Sequence, residues 1–92
     1  MMYLDLKTPK ELCLQISMSA KARRKQQKLT RKKLSELSGV GYGSIRRFEE
    51  SGEISLSSLL KIAFVLDCSD EFELLFAEEK PQSIKEIIDG QL

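Results

Sequence analysis

The stretch from Leu29 to Glu49 constrains this 92-residue chain more than any other. Its spacing predicts two short helices joined by a tight turn. Thr30 is a good N-cap for the first, and Leu34 and Leu37 lie three apart on one helical face. Gly39 supplies the positive φ that ends a helix cheaply. Val40 follows as an apolar residue that pins the chain to a core. The second helix restarts near Tyr42 and presents Ile45, Phe48 and Glu49 at helical spacing. Arg46 and Arg47 are then left on flanks that need not face inward.

A helix, a glycine turn and a basic second helix form a helix-turn-helix pattern, a candidate for DNA binding. The distribution of charge points the same way. The net charge is only +1, yet residues 1–50 carry twelve Lys/Arg against five Asp/Glu, and residues 51–92 carry three against nine. Lys21, Arg23, Arg24, Lys25, Lys28, Arg31, Lys32 and Lys33 fall in one stretch. Such polarity suits one face for a polyanion and another that avoids it, although a basic run alone also fits a solvated helix face.

Ninety-two residues allow one domain with one modest core, and 41% apolar content is ordinary for a globular chain. No run approaches the roughly 18 apolar residues of a membrane span, and Met1–Lys10 lacks the pattern of a secretory signal. With no histidine, His-based metal sites and His-based acid–base catalysis are excluded. Cys13 and Cys68 fit no metal or redox spacing and read as free core thiols, which implies a cytoplasmic chain. No cofactor is expected. No nucleophile–base pair, metal cluster or phosphate loop can be assembled, so an enzyme is not expected.

In chain order, Met2–Leu6 reads as a short strand or extended arm, and residues 1–8 are assigned to that arm. Thr8 and Pro9 mark a helix start, with Thr8 as N-cap. The helix is expected to reach about Gln27, with Leu12, Ile16 and Ala20 forming an apolar stripe that continues to Arg24. A buried arginine there needs a partner, and Glu49 is the candidate. After a turn at Gly52, Ser55 is expected to cap a helix over Leu56–Leu66, the most buried of the set, with Leu56, Leu59, Leu60, Ile62, Ala63, Val65 and Leu66 as its apolar positions. Asp70 or Ser69 then caps a short helix carrying Phe72, Leu74, Leu75 and Phe76. Ser83 and Glu86 form a capping-box pattern that opens a last short helix with Ile87 and Ile88, stopping at Gly90.

From about Ala20 to Leu66 the chain resembles the phage-repressor/Cro (XRE-type) helix-turn-helix family. The matching pattern is Arg24, Leu34-Ser35, Gly39-Val40, Ile45, Phe48-Glu49, Gly52 and Leu59-Leu60-Lys61-Ile62-Ala63. Two positions depart from it: Arg31 stands where the family usually has glutamine, and Gly43 where it often has a polar base-reading side chain. The resemblance implies an all-α, compact five-helix, lambda-repressor-like DNA-binding domain over residues 9–77. Residues 78–92 are expected to form a C-terminal tail with a short helix, a dimer or partner contact.

The resemblance also implies roles by position. The second motif helix, about residues 42–50, would lie in the major groove, with Tyr42, Gly43, Ser44 and Arg47 at base edges. Arg47 is the strongest of these, because arginine donates bidentately to guanine O6 and N7. Tyr42 stacks on the backbone, contacts a thymine methyl, or simply packs at the helix start. Gly43 reads no base by side chain but permits close backbone approach. Thr30, Arg31, Lys32 and Arg46 would grip phosphate, Thr30 at a helix N-terminus that favours an anion. Arg31 suits a phosphate better than it suits the bracing of the recognition helix that the family glutamine performs. Lys32 is otherwise solvated, and Arg46 otherwise pairs with Glu50. Arg24 and Glu49 correspond to a structural ion pair.

The family implies a homodimer on a palindromic operator and a transcriptional role, repression above all. Phe72, Leu75, Phe76, Ile84, Ile87 and Ile88 exceed what a small core needs and are the expected dimer or partner contacts, with the Tyr3-Leu4 arm assisting. The Thr8-to-Leu12 start, the Arg46-Arg47-Phe48-Glu49 helix end and the tail after Leu74-Leu75-Phe76 further resemble regulators of HipB type, antitoxins that bind both operator and toxin. On that alternative the acidic 67–92 surface binds a toxin or another protein partner. A protein-interaction module that has lost DNA binding is the competing class, with Gly43 in its favour and Arg31, Arg46 and Arg47 against it.

Overall fold

The computed structural model describes residues 7–78, and these are all helix and connecting turns. Four α-helices come in order: α1 (Pro9–Gln26), α2 (Arg31–Ser38), α3 (Tyr42–Ser51) and α4 (Leu56–Val65), followed by a 3₁₀ helix at Ser69–Leu74. The all-α class and the five helices match the expectation. The Met2–Leu6 arm with Tyr3 and Leu4, and the Ser83–Gly90 helix with Ile84, Ile87 and Ile88, lie outside the described residues.

Local chemistry sets the helix starts. The Thr8 hydroxyl accepts from Glu11 N, and Glu11 returns a bond to Thr8 N, so a full capping box stands over Pro9. That bond to the Thr8 amide holds the Glu11 carboxyl below its ordinary value. Thr30 and Ser55 cap α2 and α4 in the same one-sided way, accepting from Lys33 N and Ser58 N. Gly39 and Gly52, at φ 77° and 79°, end α2 and α3.

The core is built from Leu34, Val40, Ile45, Phe48, Ile62 and Leu66, with Ala20, Leu29, Ile54, Leu59, Val65 and Cys68 packed around it. All three motif elements therefore contribute to it. Val40 sits just past the Gly39 stop, as its apolar character predicts, and its carbonyl accepts from Ser35 Oγ at 2.6 Å.

Several expected core positions face outward instead. Leu12 and Ile16 are exposed on α1, where the buried residues are Ser17, whose hydroxyl donates to Leu14 O at 2.8 Å, and Arg24. The inward row of α1 runs through Ser17, Ala20 and Arg24 at helical spacing, so Leu12 and Ile16 fall to one side of it. Cys13 itself is exposed, not a core thiol, whereas Cys68 is partly buried and its thiol is pushed up by that burial. Leu37 and Leu56 are exposed too, because α2 turns Leu34 inward and α4 buries Ile62 and Ala63, with Leu59 and Val65 packed beside them. The element after α4 is a 3₁₀ helix with no side-chain cap, so neither Asp70 nor Ser69 caps it, and Leu74, Leu75 and Phe76 stand in the open.

Candidate nucleic-acid interface

The second motif helix has two sharply different sides. Ile45, Phe48 and Glu49 are buried, while Tyr42, Gly43, Ser44, Arg46 and Arg47 are exposed. Helical spacing alone produces this split, since 45, 48 and 49 lie on one face. What anchors the buried side is an ion cluster. Arg24 donates from Nε to Glu49 Oε2 at 2.7 Å and from Nη2 to Glu49 Oε1 at 3.1 Å, a two-pronged bond between α1 and α3. Its third nitrogen, Nη1, donates to Leu29 O at 2.7 Å, tying the α1–α2 linker into the same knot. Gln27 adds a bond from Nε2 to Leu66 O at 2.9 Å, joining that linker to the end of α4.

Arg31 completes the cluster, donating from Nε to Glu49 Oε1 at 2.9 Å. The expectation that arginine suits phosphate better than bracing is corrected here: Arg31 braces α3 from the first turn of α2. Its side chain spans from α2 to α3, and Glu49 offers a second lone pair on the oxygen that Arg24 already uses. Burial alone would push the Glu49 carboxyl up. The hydrogen bonds from Arg24 and Arg31 outweigh burial and hold it below its ordinary value. Hydrogen bonding to Glu49 raises Arg31 in turn, with smaller support from the Tyr42 side chain. Among the described residues no buried side-chain polar atom lacks a partner.

The outer side is wet and charged. Arg46 pairs with Glu50 at 3.2 Å, four residues on, and Arg47 pairs with Glu53 at 2.5 Å across the turn that ends α3. Sequence reading foresaw the first of these as an alternative and missed the second. The signal for it was the Ser51-Gly52 turn, which folds the chain back beside α3. Lys32 is exposed on α2, and the Thr30 hydroxyl, occupied as an acceptor by Lys33 N at 3.0 Å, keeps its own proton to donate. Ser44, Arg47, Glu53, Ile54, Ser55 and Ser58 line an open cleft between α3 and the start of α4.

A buried-sided, basic-faced second helix, locked at a fixed angle by a glycine turn and an ion cluster, defines a helix-turn-helix DNA-binding domain. The sequence matches the helix-turn-helix family HTH_3 over residues 21–72, and the chain belongs to that family, of XRE/Cro-C1 type. It is thus a DNA-binding helix-turn-helix regulator. No curated protein and no solved structure matches the chain significantly. Among the described residues there is no cluster of potential metal ligands, and no helix is long and apolar enough to cross a membrane.

Proposed function

We propose that this chain is a sequence-specific transcriptional repressor that binds a palindromic operator as a homodimer, with α3 in the major groove. The observation that carries this reading is the exposed edge of α3. Tyr42, Gly43, Ser44 and Arg47 form a thin reading edge, and Thr30 and Lys32 supply phosphate contacts, joined by Arg46 once it leaves Glu50 and by the donors of Arg31 that Glu49 does not use. Residues 9–77 act as the DNA-binding unit. One unit reads one half-site, so a symmetric operator requires two copies.

The dimer contact is assigned to Phe72, Leu75 and Phe76, continued by Ile84, Ile87 and Ile88. Leu75 and Phe76 are exposed at the end of the described chain, which favours a protein partner there. The same surface favours the second reading, an antitoxin that engages a toxin through its acidic third. Selection of bound duplexes from a random pool, with sedimentation of the protein at micromolar concentration, tests the proposal. A two-fold symmetric consensus and a dimer, free or DNA-induced, support it. A pool without enrichment refutes it, and a DNA-bound monomer refutes the dimer.

A further inference from the structure

Arg47 does not project freely from the recognition helix. Its Nη2 donates to Glu53 Oε1 at 2.5 Å, although the two side chains are 70% and 66% exposed. The pair differs from Arg46–Glu50, which is an ordinary contact between successive turns of one helix. Here the carboxylate is delivered by the turn after α3, and that turn is fixed at several points. Gly52 is buried at φ 79°, and a Cβ there would lie 2.9 Å from the Cys13 carbonyl carbon, so the turn is seated directly on the α1 backbone. Ser51 Oγ donates to Arg47 O at 2.7 Å and accepts from Glu53 N at 3.2 Å. One hydroxyl thereby ties together the backbones of the two residues whose side chains meet.

We infer that Glu53 is a specificity-determining residue: it fixes the Arg47 guanidinium in place for a guanine and makes a lone phosphate a poor partner for it. The inference rests on the DNA-reading role of Arg47 proposed above. A guanidinium carries five N–H donors in a fixed fork. Glu53 uses one of them and leaves enough for a two-pronged bond to guanine O6 and N7. A guanine edge brings no net charge to the site. A phosphate brings a full negative charge beside the Glu53 carboxylate, which repels it. Arg47 is therefore withheld from the sequence-independent grip that dominates nonspecific binding and reserved for base contact.

The test compares Glu53→Gln with Glu50→Gln, which removes the same charge from the partner of Arg46. Each variant and the parent are titrated by fluorescence anisotropy against a labelled mixed-sequence 20-base-pair duplex over a range of salt, and each is used to select duplexes from a random pool. Thermal unfolding checks that both exposed substitutions leave the fold intact. Glu53→Gln should bind the mixed duplex about two- to fivefold more tightly, the range expected when an exposed ion pair is lost. Its salt slope should steepen by about 0.9, one further phosphate contact. Its selected sites should lose guanine enrichment at one position per half-site, which Glu50→Gln should retain. Unchanged guanine enrichment in Glu53→Gln, or two variants that behave alike, would overturn the role of Glu53 and leave DNA reading intact. A parent protein that binds neither duplex nor pool would overturn both.

Discussion

Arg31 and Glu49 meet at 2.9 Å between the first turn of α2 and the last turn of α3, on the same carboxylate oxygen that already accepts from Arg24. One acid therefore holds two helices to the recognition helix. Its side chain is only 2% exposed and that of Arg24 7%, so the bond between these two is a buried one. Replacing it uncovers a buried cation, which is the costly half of breaking a buried pair.

Glu49→Gln should accordingly lower stability by about 3–5 kcal/mol at neutral pH. The loss is pH-dependent and its sign is fixed. The folded carboxyl titrates below its ordinary value of 4.5, so its contribution is present in full above the unfolded value and disappears as pH falls through the lowered folded one. Urea titrations of parent and variant between pH 3 and 7 should converge on acidification. A gap that stays constant would mean that Glu49 acts by shape and not by charge.

Gly39 and Gly52 share a left-handed backbone but not a neighbourhood. Nothing lies within 4 Å of a Cβ at Gly39, whereas at Gly52 the Cys13 backbone blocks it. Gly39→Ala should cost about 1–2 kcal/mol, the price of a left-handed L-residue. Gly52→Ala adds the displacement of α1 and should cost about 1–3 kcal/mol more. Equal losses in denaturant titration would contradict the close seating of the turn on α1.

Gly43 is the second residue of α3, with open space around it. Gly43→Ala should stabilise the fold, by less than the roughly 0.5–1 kcal/mol that the change brings in a helix interior. If the backbone of Gly43 approaches DNA closely, the same variant should bind its selected site more weakly than the parent. A more stable variant with unchanged affinity would leave Gly43 as a spectator at the interface.

The motif was legible because local rules and tertiary packing agree there. Thr30 caps, Gly39 stops, and Val40, Ile45 and Phe48 are buried where spacing places them. Disagreement appears where distance between elements decides. Leu12 and Ile16 read as a core stripe, yet the side of α1 that meets α3 is set one residue over and buries Ser17. Periodicity carries no information about that distance. Likewise the Arg31–Glu49 and Arg47–Glu53 pairs join residues 18 and six positions apart, beyond the reach of helical spacing. The charge pattern revealed that cations gather on the motif, not which carboxylates hold them.

The central claim is that Arg47 reads sequence while its neighbours grip the backbone. Titration of Arg47→Ala and Lys32→Ala against the selected operator and a mixed-sequence duplex separates the two roles. Arg47→Ala should lose about 1–3 kcal/mol on the operator and little on the mixed duplex. Lys32→Ala should weaken both alike, with a salt slope lower by about one. If Arg47→Ala binds the operator as tightly as the parent and selects the same consensus, α3 does not read DNA through this residue and the account fails.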